Sequence, residues 1–516
     1  MTDEPTKDDG AGRPQDHEPP AGAERSGSWT ASGTSLDYTV SANWTVLRKD
    51  EKPAAEIFSV SYVADSGGEE RPVTFIFNGG PGASSAYLQM GVVGPTRVAL
   101  PADGTLPPMP PRLVENEDSW LGFTDLVFVD PVGTGFSRVI HPEGEGKGKD
   151  DGREESGGGS GAGSGGEESR AHEFFGYKRD LESLCEFVGR WLSRRRRWGS
   201  PVFIAGESYG GYRVGRLVRM LQEGTGVGLS GAILISPALE LGALSPNDYD
   251  ALGWIDALPT MALAAVHHGR SRAFARGTPS AEVQRETEAF ATSDYASLLA
   301  RGASMPGPDR ERILGRLADL IGLPVELVAR AEGRITISMF ARELLRDERR
   351  VLGFYDATVT AIDPFPDRQP FAGADPTLAG FGPAFSTAIN RQLRREIGVE
   401  TEREYIVLSY EVFRAWRNDA PEHFFVPPLG ATDDFRYGMA LNPHMRAFIT
   451  HGRYDLVTPY YATDRLRNLM RLDPQIADRL TVRHFDGGHM FYAWEQSRRE
   501  FTAAIGAFVS DALAGG

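Results

Sequence analysis

The sequence predicts an α/β fold with a mostly parallel central sheet, and three observations carry that prediction. Short apolar runs recur at VTFIF (Val73 to Phe77), LVFVD (Leu126 to Asp130), VFIAG (Val202 to Gly206), AILIS (Ala232 to Ser236), AFIT (Ala447 to Thr450) and LTVRHF (Leu480 to Phe485). Most are apolar almost throughout rather than alternating, as strands buried on both faces require. Helical periodicity separates several of them, and strand, helix, strand in succession builds a parallel sheet. Finally, GESYG (Gly206 to Gly210) follows the VFIA run and precedes a segment able to be helical. That is the setting a G-x-S-x-G turn needs.

Taken in chain order, residues 1–35 are charged and rich in Pro and Gly, with too little apolar surface to offset the entropy of ordering. A disordered tail is expected there. WTVL (Trp44 to Leu47) and IFSVSYV (Ile57 to Val63) resemble antiparallel edge strands that open a core spanning residues 36–238. Within it, residues 141–169 form a Gly/Ser/Glu low-complexity loop. Leu181, Leu184, Cys185, Val188, Trp191 and Leu192 make one apolar helical stripe, and the basic run Arg194 to Arg197 closes that helix at its negative end. From residue 239 to residue 442 the strand rhythm gives way to Arg/Glu-rich helical segments, such as Asp309 to Leu320 and Ser338 to Leu352. This stretch reads as a mainly helical cap inserted into the core, whose second part is residues 443–516.

Composition excludes some classes of function. The 55 Lys and Arg against 71 Asp and Glu give a net charge of −16, which disfavours a grip on nucleic acid or an anionic membrane. The single cysteine, Cys185, excludes an internal disulfide and suits a reducing compartment. The N-terminal stretch has neither the apolar core of a signal peptide nor a spanning helix, so a cytoplasmic location is expected. No His/Cys/Glu cluster has metal-ligand spacing, and no cofactor is expected.

The chemistry rests on four short segments. A serine hydroxyl needs a base within reach and a third group to orient that base. Ser208 sits at the apex of the elbow, Asp455 follows AFITHGRY near a strand end, and His489 lies in DGGHMF after the last predicted strand. The order Ser, Asp, His is that of α/β-hydrolases. His451 and His484 read as structural. FNGGPG (Phe77 to Gly82) leaves the first parallel strand, and its glycines let backbone N–H groups approach a developing oxyanion. Gly80 and Tyr209 are the expected donors.

NGGPGASS (Asn78 to Ser85), DPVGTGFS (Asp130 to Ser137), GESYGGY (Gly206 to Tyr212), the Gly452 to Asp455 segment and GGHM (Gly487 to Met490) together resemble the serine carboxypeptidase family, of the carboxypeptidase Y type. The resemblance covers the core and not the cap. It implies an α/β-hydrolase fold, release of single residues from peptide or protein C-termini, and binding of the terminal carboxylate by Asn78, Gly79 and Glu207. A glutamate beside a carboxylate must share a proton with it, so the resemblance also implies a raised pKa at Glu207. Three positions depart from the family pattern: Phe77 replaces a tryptophan, Ala83 a cysteine and Val92 a glutamate. An esterase, amidase or acyltransferase using the same triad is an alternative, as is a non-catalytic binding protein on the same fold. Side-chain preference and oligomeric state have no signal in the sequence.

Overall fold

The computed structural model describes residues 17–31, 33–140, 173–244, 246–368, 371, 373–417, 419 and 430–514. The low-complexity segment 141–169 lies outside them. Nine strands form the path of the central sheet: β1 (Ala23–Ala31), β2 (Thr34–Lys49), β3 (Lys52–Ala64), β4 (Val73–Phe77), β5 (Asp125–Asp130), β6 (Val202–Glu207), β7 (Gly231–Ile235), β8 (Arg446–Thr450) and β9 (Leu480–Val482). Their spatial order is β1-β2-β3-β5-β4-β6-β7-β8-β9, and the short strand Arg138–Val139 pairs with β3. Pairings from β1 to β5 are antiparallel, and those from β5 through β9 are parallel.

The apolar runs become strands because each can bury both faces. In β4, β5, β6 and β7 every residue is buried. Alternate side chains feed two separate layers: Ile76, Phe128, Ala205 and Ile233 pack on one face, while Phe75, Val127, Ile204 and Leu234 pack on the other. Each fully buried residue of this size contributes about 1.5–3 kcal/mol.

Chain order reverses between β4 and β6. After β4 the chain returns to β5 on one side, and after β6 it proceeds to β7 on the other. Neighbouring parallel strands whose connections diverge leave a crevice at their carboxyl ends, the usual ligand site of an open α/β sheet. FNGGPG leaves β4 there, and the G-x-S-x-G elbow leaves β6.

Several expectations need correction. The expected disordered tail is contradicted at residues 23–31, which form β1 paired along its whole length with Thr34–Ala42, while residues 1–16 lie outside the described residues. β1 buries Trp29, whose indole N–H donates to Asn116 O at 2.7 Å. β3 is internal rather than an edge, because β5 pairs with it. Helix α1 (Tyr177–Arg195) follows the apolar stripe, but with the helix ending at Arg195, Arg197 lies beyond it rather than closing it. It is buried and bonds Asp125 at 2.7 Å and Ser200 at 2.6 Å. Residues 350–352 are a strand paired with Thr360–Ile362, not the end of a helix. LTVRHF is strand only through Val482, which leaves His484 in the loop beyond.

Between β7 and β8 run helices that include Leu252–His267, Gly307–Ile321 and Pro376–Arg391. Several build their own apolar cluster, which reaches the core through Leu456 and Tyr460.

Helix α2 (Tyr209–Met220) starts at the elbow and carries Arg213, which is fully buried. Arg213 donates to both carboxylate oxygens of Asp180 in α1, at 2.8 and 3.0 Å, and to Asn78 O at 2.7 Å. One guanidinium thereby joins α1, α2 and the loop after β4. Asp180→Ala is expected to leave that buried charge uncompensated and to cost about 3–5 kcal/mol, read as a lower urea midpoint. Replacing both partners by apolar residues of similar volume is expected to recover much of the loss.

Candidate active site

Ser208 occupies the turn from β6 into α2 with φ 61° and ψ −122°, a conformation a residue with a side chain adopts only under constraint. The constraint is visible on all sides. Its N–H donates to Ile235 O at 2.9 Å, and its carbonyl accepts from Gly211 N at 2.8 Å and Ala238 N at 3.1 Å. A Cβ on Gly206 would lie 2.1 Å from Gly210 O, and one on Gly210 would lie 2.5 Å from Phe77 O. Both elbow glycines are therefore dictated by backbone packed against backbone. Ser208 keeps partial exposure, while Glu207 and Tyr209 on either side are buried.

Asp455 lies in the loop after β8, fully buried. Its Oδ1 accepts the N–H groups of Val457 at 2.8 Å and Thr458 at 3.0 Å; its Oδ2 accepts the Thr458 hydroxyl at 2.6 Å and His489 Nδ1–H at 2.6 Å. The Thr458 oxygen is also 3.1 Å from His489 Nδ1. With Nδ1 engaged, Nε2 is the nitrogen left to exchange a proton. The histidine backbone is held at both ends: its N–H donates to Tyr355 O at 2.5 Å and its carbonyl accepts from Ser236 Oγ at 2.8 Å. Ile235 and Ser236 are adjacent, so the end of β7 grips the elbow and the histidine loop together. Burial disfavours the imidazolium, yet the Asp455 carboxylate at Nδ1, with Glu207 beyond it, raises the His489 pKa above its ordinary value.

The loop after β4 presses on the elbow. A Cβ on Gly79 would come within 2.6 Å of Tyr209 N and 2.9 Å of Ser208 Cβ. Gly80 has φ 98° and is exposed. Neither its N–H nor that of Tyr209, the first residue of α2, is taken by another group among the described residues. An open donor at a helix N-terminus and a second in the loop packed against the elbow suit a developing negative charge.

Asn78 and Glu207, buried side by side, join through Asn78 Nδ2 and Glu207 Oε2, while Asn78 Oδ1 accepts Leu88 N–H at 3.0 Å. Glu207 Oε1 has no hydrogen-bond partner among the described residues. Burial pushes the Glu207 carboxyl up to about 7, against the pull of His489 and of the Tyr492 and Asn78 side chains.

These segments match known proteins. A family model described as serine carboxypeptidase covers residues 39–240. Over that stretch the chain is similar to the serine carboxypeptidase family. Serine carboxypeptidase-like 5 of Arabidopsis thaliana is 27% identical over 215 residues, 40% of this chain and 41% of that protein. The pheromone-processing carboxypeptidase kex1 of Sclerotinia sclerotiorum is 27% identical over 157 residues, 30% of this chain and 19% of that protein. The chain thus spans well under two thirds of the length of these curated relatives. The crystal structure of a prohormone-processing carboxypeptidase from Saccharomyces cerevisiae superposes with a TM-score of 0.53 at 14% identity, covering 92% of each chain. At that identity the likeness concerns the fold, that of an α/β-hydrolase.

The fold brings all eight residues singled out in the sequence to the crevice or the loops beside it. His451 stands apart: Nδ1–H donates to Thr458 O at 3.0 Å, Nε2 accepts from Thr463 at 2.7 Å, and burial keeps its pKa well below the usual value. His484 faces Asp464 at 3.1 Å. Val92 is buried, and its carbonyl accepts the Asn116 amide at 2.6 Å. The polar neighbour that sequence reasoning missed is Tyr492, a turn beyond His489. Thr458 was missed as well, although Asp455 followed three residues later by a hydroxyl is a local bonding pattern. Among the described residues, no group of three or more His, Cys, Asp or Glu side chains is placed to hold a metal ion.

A neutral buried Glu207 links stability to pH. The unfolded chain releases this proton near pH 4.5 and the folded chain near 7. The stabilisation is therefore complete below about 4.5, declines as pH rises and is gone above about 7. Glu207→Gln is expected to flatten that part of the profile, measured as thermal midpoints from pH 4.5 to 8.

Proposed function

We propose that this protein is a serine-type carboxypeptidase that hydrolyses the C-terminal peptide bond of peptides or proteins through an acyl-enzyme on Ser208. The observation that carries the reading is the buried Asn78–Glu207 pair next to the elbow, with one glutamate oxygen left without a partner. A protonated Glu207 can donate from that oxygen to a substrate's terminal carboxylate, while Asn78 holds the other oxygen in place. An ionised Glu207 would repel the same carboxylate.

With the C-terminus anchored there, the last peptide carbonyl lies over the elbow. Ser208 attacks it, His489 Nε2 takes the hydroxyl proton, and Asp455 holds the ring tautomer and steadies the imidazolium. The oxyanion is received by the N–H groups of Gly80 and Tyr209. His489 then protonates the departing amino acid, and water, activated by the same nitrogen, cleaves the ester. A reducing compartment such as the cytoplasm is part of the proposal, resting on Cys185 being buried and without a disulfide partner.

Two outcomes test the reading. Ser208→Ala is expected to lower kcat on a blocked dipeptide by on the order of a thousandfold or more. For free-acid peptides KM is expected to rise as pH passes about 7, where Glu207 loses its proton. C-terminal amides and esters are expected to lack that rise, and Glu207→Gln to abolish it. Equal kcat/KM for a free acid and its amide would instead favour an esterase, amidase or acyltransferase.

A further inference from the structure

The segment Gly353 to Ala357 belongs to the insertion between β7 and β8, yet it runs between the two loops that carry Asp455 and His489. On the acid side, Leu456 N–H donates to Phe354 O at 3.0 Å and Ala357 N–H donates to Tyr454 O at 2.9 Å. On the histidine side, His489 N–H donates to Tyr355 O at 2.5 Å, and the Tyr355 ring meets the imidazole edge-on with centroids 5.2 Å apart. The Asp356 carboxylate completes the connection. Its Oδ2 accepts Gly488 N–H at 3.1 Å and the Trp494 indole N–H at 3.2 Å, and its Oδ1 accepts the Thr358 N–H at 2.9 Å and hydroxyl at 2.6 Å. Asp356 is only 6% exposed. A Cβ on Gly488 would lie 2.1 Å from Tyr355 O and 2.4 Å from Asp356 Cβ, so the contact admits no side chain at Gly488.

We propose that Asp356 is a positioning residue for His489, and that residues 353–357 form a clasp through which docking of the insertion sets the Asp455–His489 pair. The inference rests on the triad reading above. Four donors converge on one buried carboxylate, and one of them is the N–H of the residue before His489. The acid loop and histidine loop also bond directly, Tyr454 N–H to Gly487 O at 2.9 Å, but that bond lies on the far side of Gly488 from the imidazole. Asp356 and Tyr355 O constrain the two N–H groups nearest the ring. Losing the carboxylate leaves Gly488 N–H and the Trp494 indole without acceptors and frees the loop to move. A shift of about 1 Å at a reacting group lowers rate by about a hundredfold.

The test uses the full chain and an alkyl fluorophosphonate, which reads Ser208 reactivity without requiring any particular peptide substrate. Wild type is expected to label and Ser208→Ala not to. Asp356→Ala is expected to label about a hundredfold more slowly than wild type. Asp356→Asn, which keeps one carbonyl oxygen for either pair of donors, is expected to recover part of that loss. The titratable groups around the imidazole are Asp455, Glu207, His451 and Tyr355, the last held neutral by burial. Because the Asp455 contact is what raises the His489 pKa, loosening it is expected to lower the pH midpoint of labelling in both variants. A folded Asp356→Ala protein that labels at the wild-type rate overturns the inference and leaves the triad reading intact. If Asp356→Ala does not fold, a folded Asp356→Asn with wild-type rate and midpoint overturns it equally. A wild type that does not label removes the triad reading and this inference with it.

Discussion

Backbone pressed against backbone at the ends of β4 and β6 is the constraint on which the rest of the site depends. Gly79, Gly206 and Gly210 each stand where a Cβ would intrude within 2.6 Å of another residue's main chain, and Ser208 between the last two is held at φ 61°. A turn this tight aims the hydroxyl out of the sheet and leaves the first N–H of α2 open beside Gly80. The strain is held by a bond within α2, from Gly211, and by bonds to Ile235 and Ala238 at and just beyond the end of β7.

Around that turn the protein keeps two carboxyl groups a short distance apart in opposite conditions. Asp455 accepts four hydrogen bonds, three of them from its own loop, and these satisfy a carboxylate. Glu207 meets the Asn78 amide with the Tyr492 side chain beside it, and burial favours its neutral form. In the proposed mechanism the first of these groups orients the base and the second donates a proton to the substrate. Arg213 and Asp180 do similar work beneath the elbow, where a buried charge is tolerated because its partner is fixed in bidentate geometry and Asn78 O takes a third bond.

Most of the parallel strands and all of the elbow were legible in the sequence, because a strand buried on both faces needs a continuous apolar run and a glycine forced by close approach cannot vary freely. β1 was not legible. SGSWT has little apolar content, and its order comes from pairing with β2 and from burying Trp29, contacts that local composition does not report. Arg197 was misread for a related reason: a basic run after an apolar stripe suits a helix end, and only the fold brings Asp125, far away in the chain, to receive its last member. The second strand of the Arg350–Leu352 hairpin likewise lies eight or more residues downstream, beyond the reach of helical periodicity.

What the sequence determined by itself was the candidate set Ser208, Asp455 and His489 and its order, since each sits in a short motif at the end of an apolar run. Tertiary structure alone decided which groups hold them. Ser236 and Asp356 bond the histidine loop through contacts that depend on where strands end and where the insertion docks. A motif encodes a turn within a few residues; a hydrogen bond from residue 356 to residue 488 is set only when the whole sheet and its insertion have closed around it.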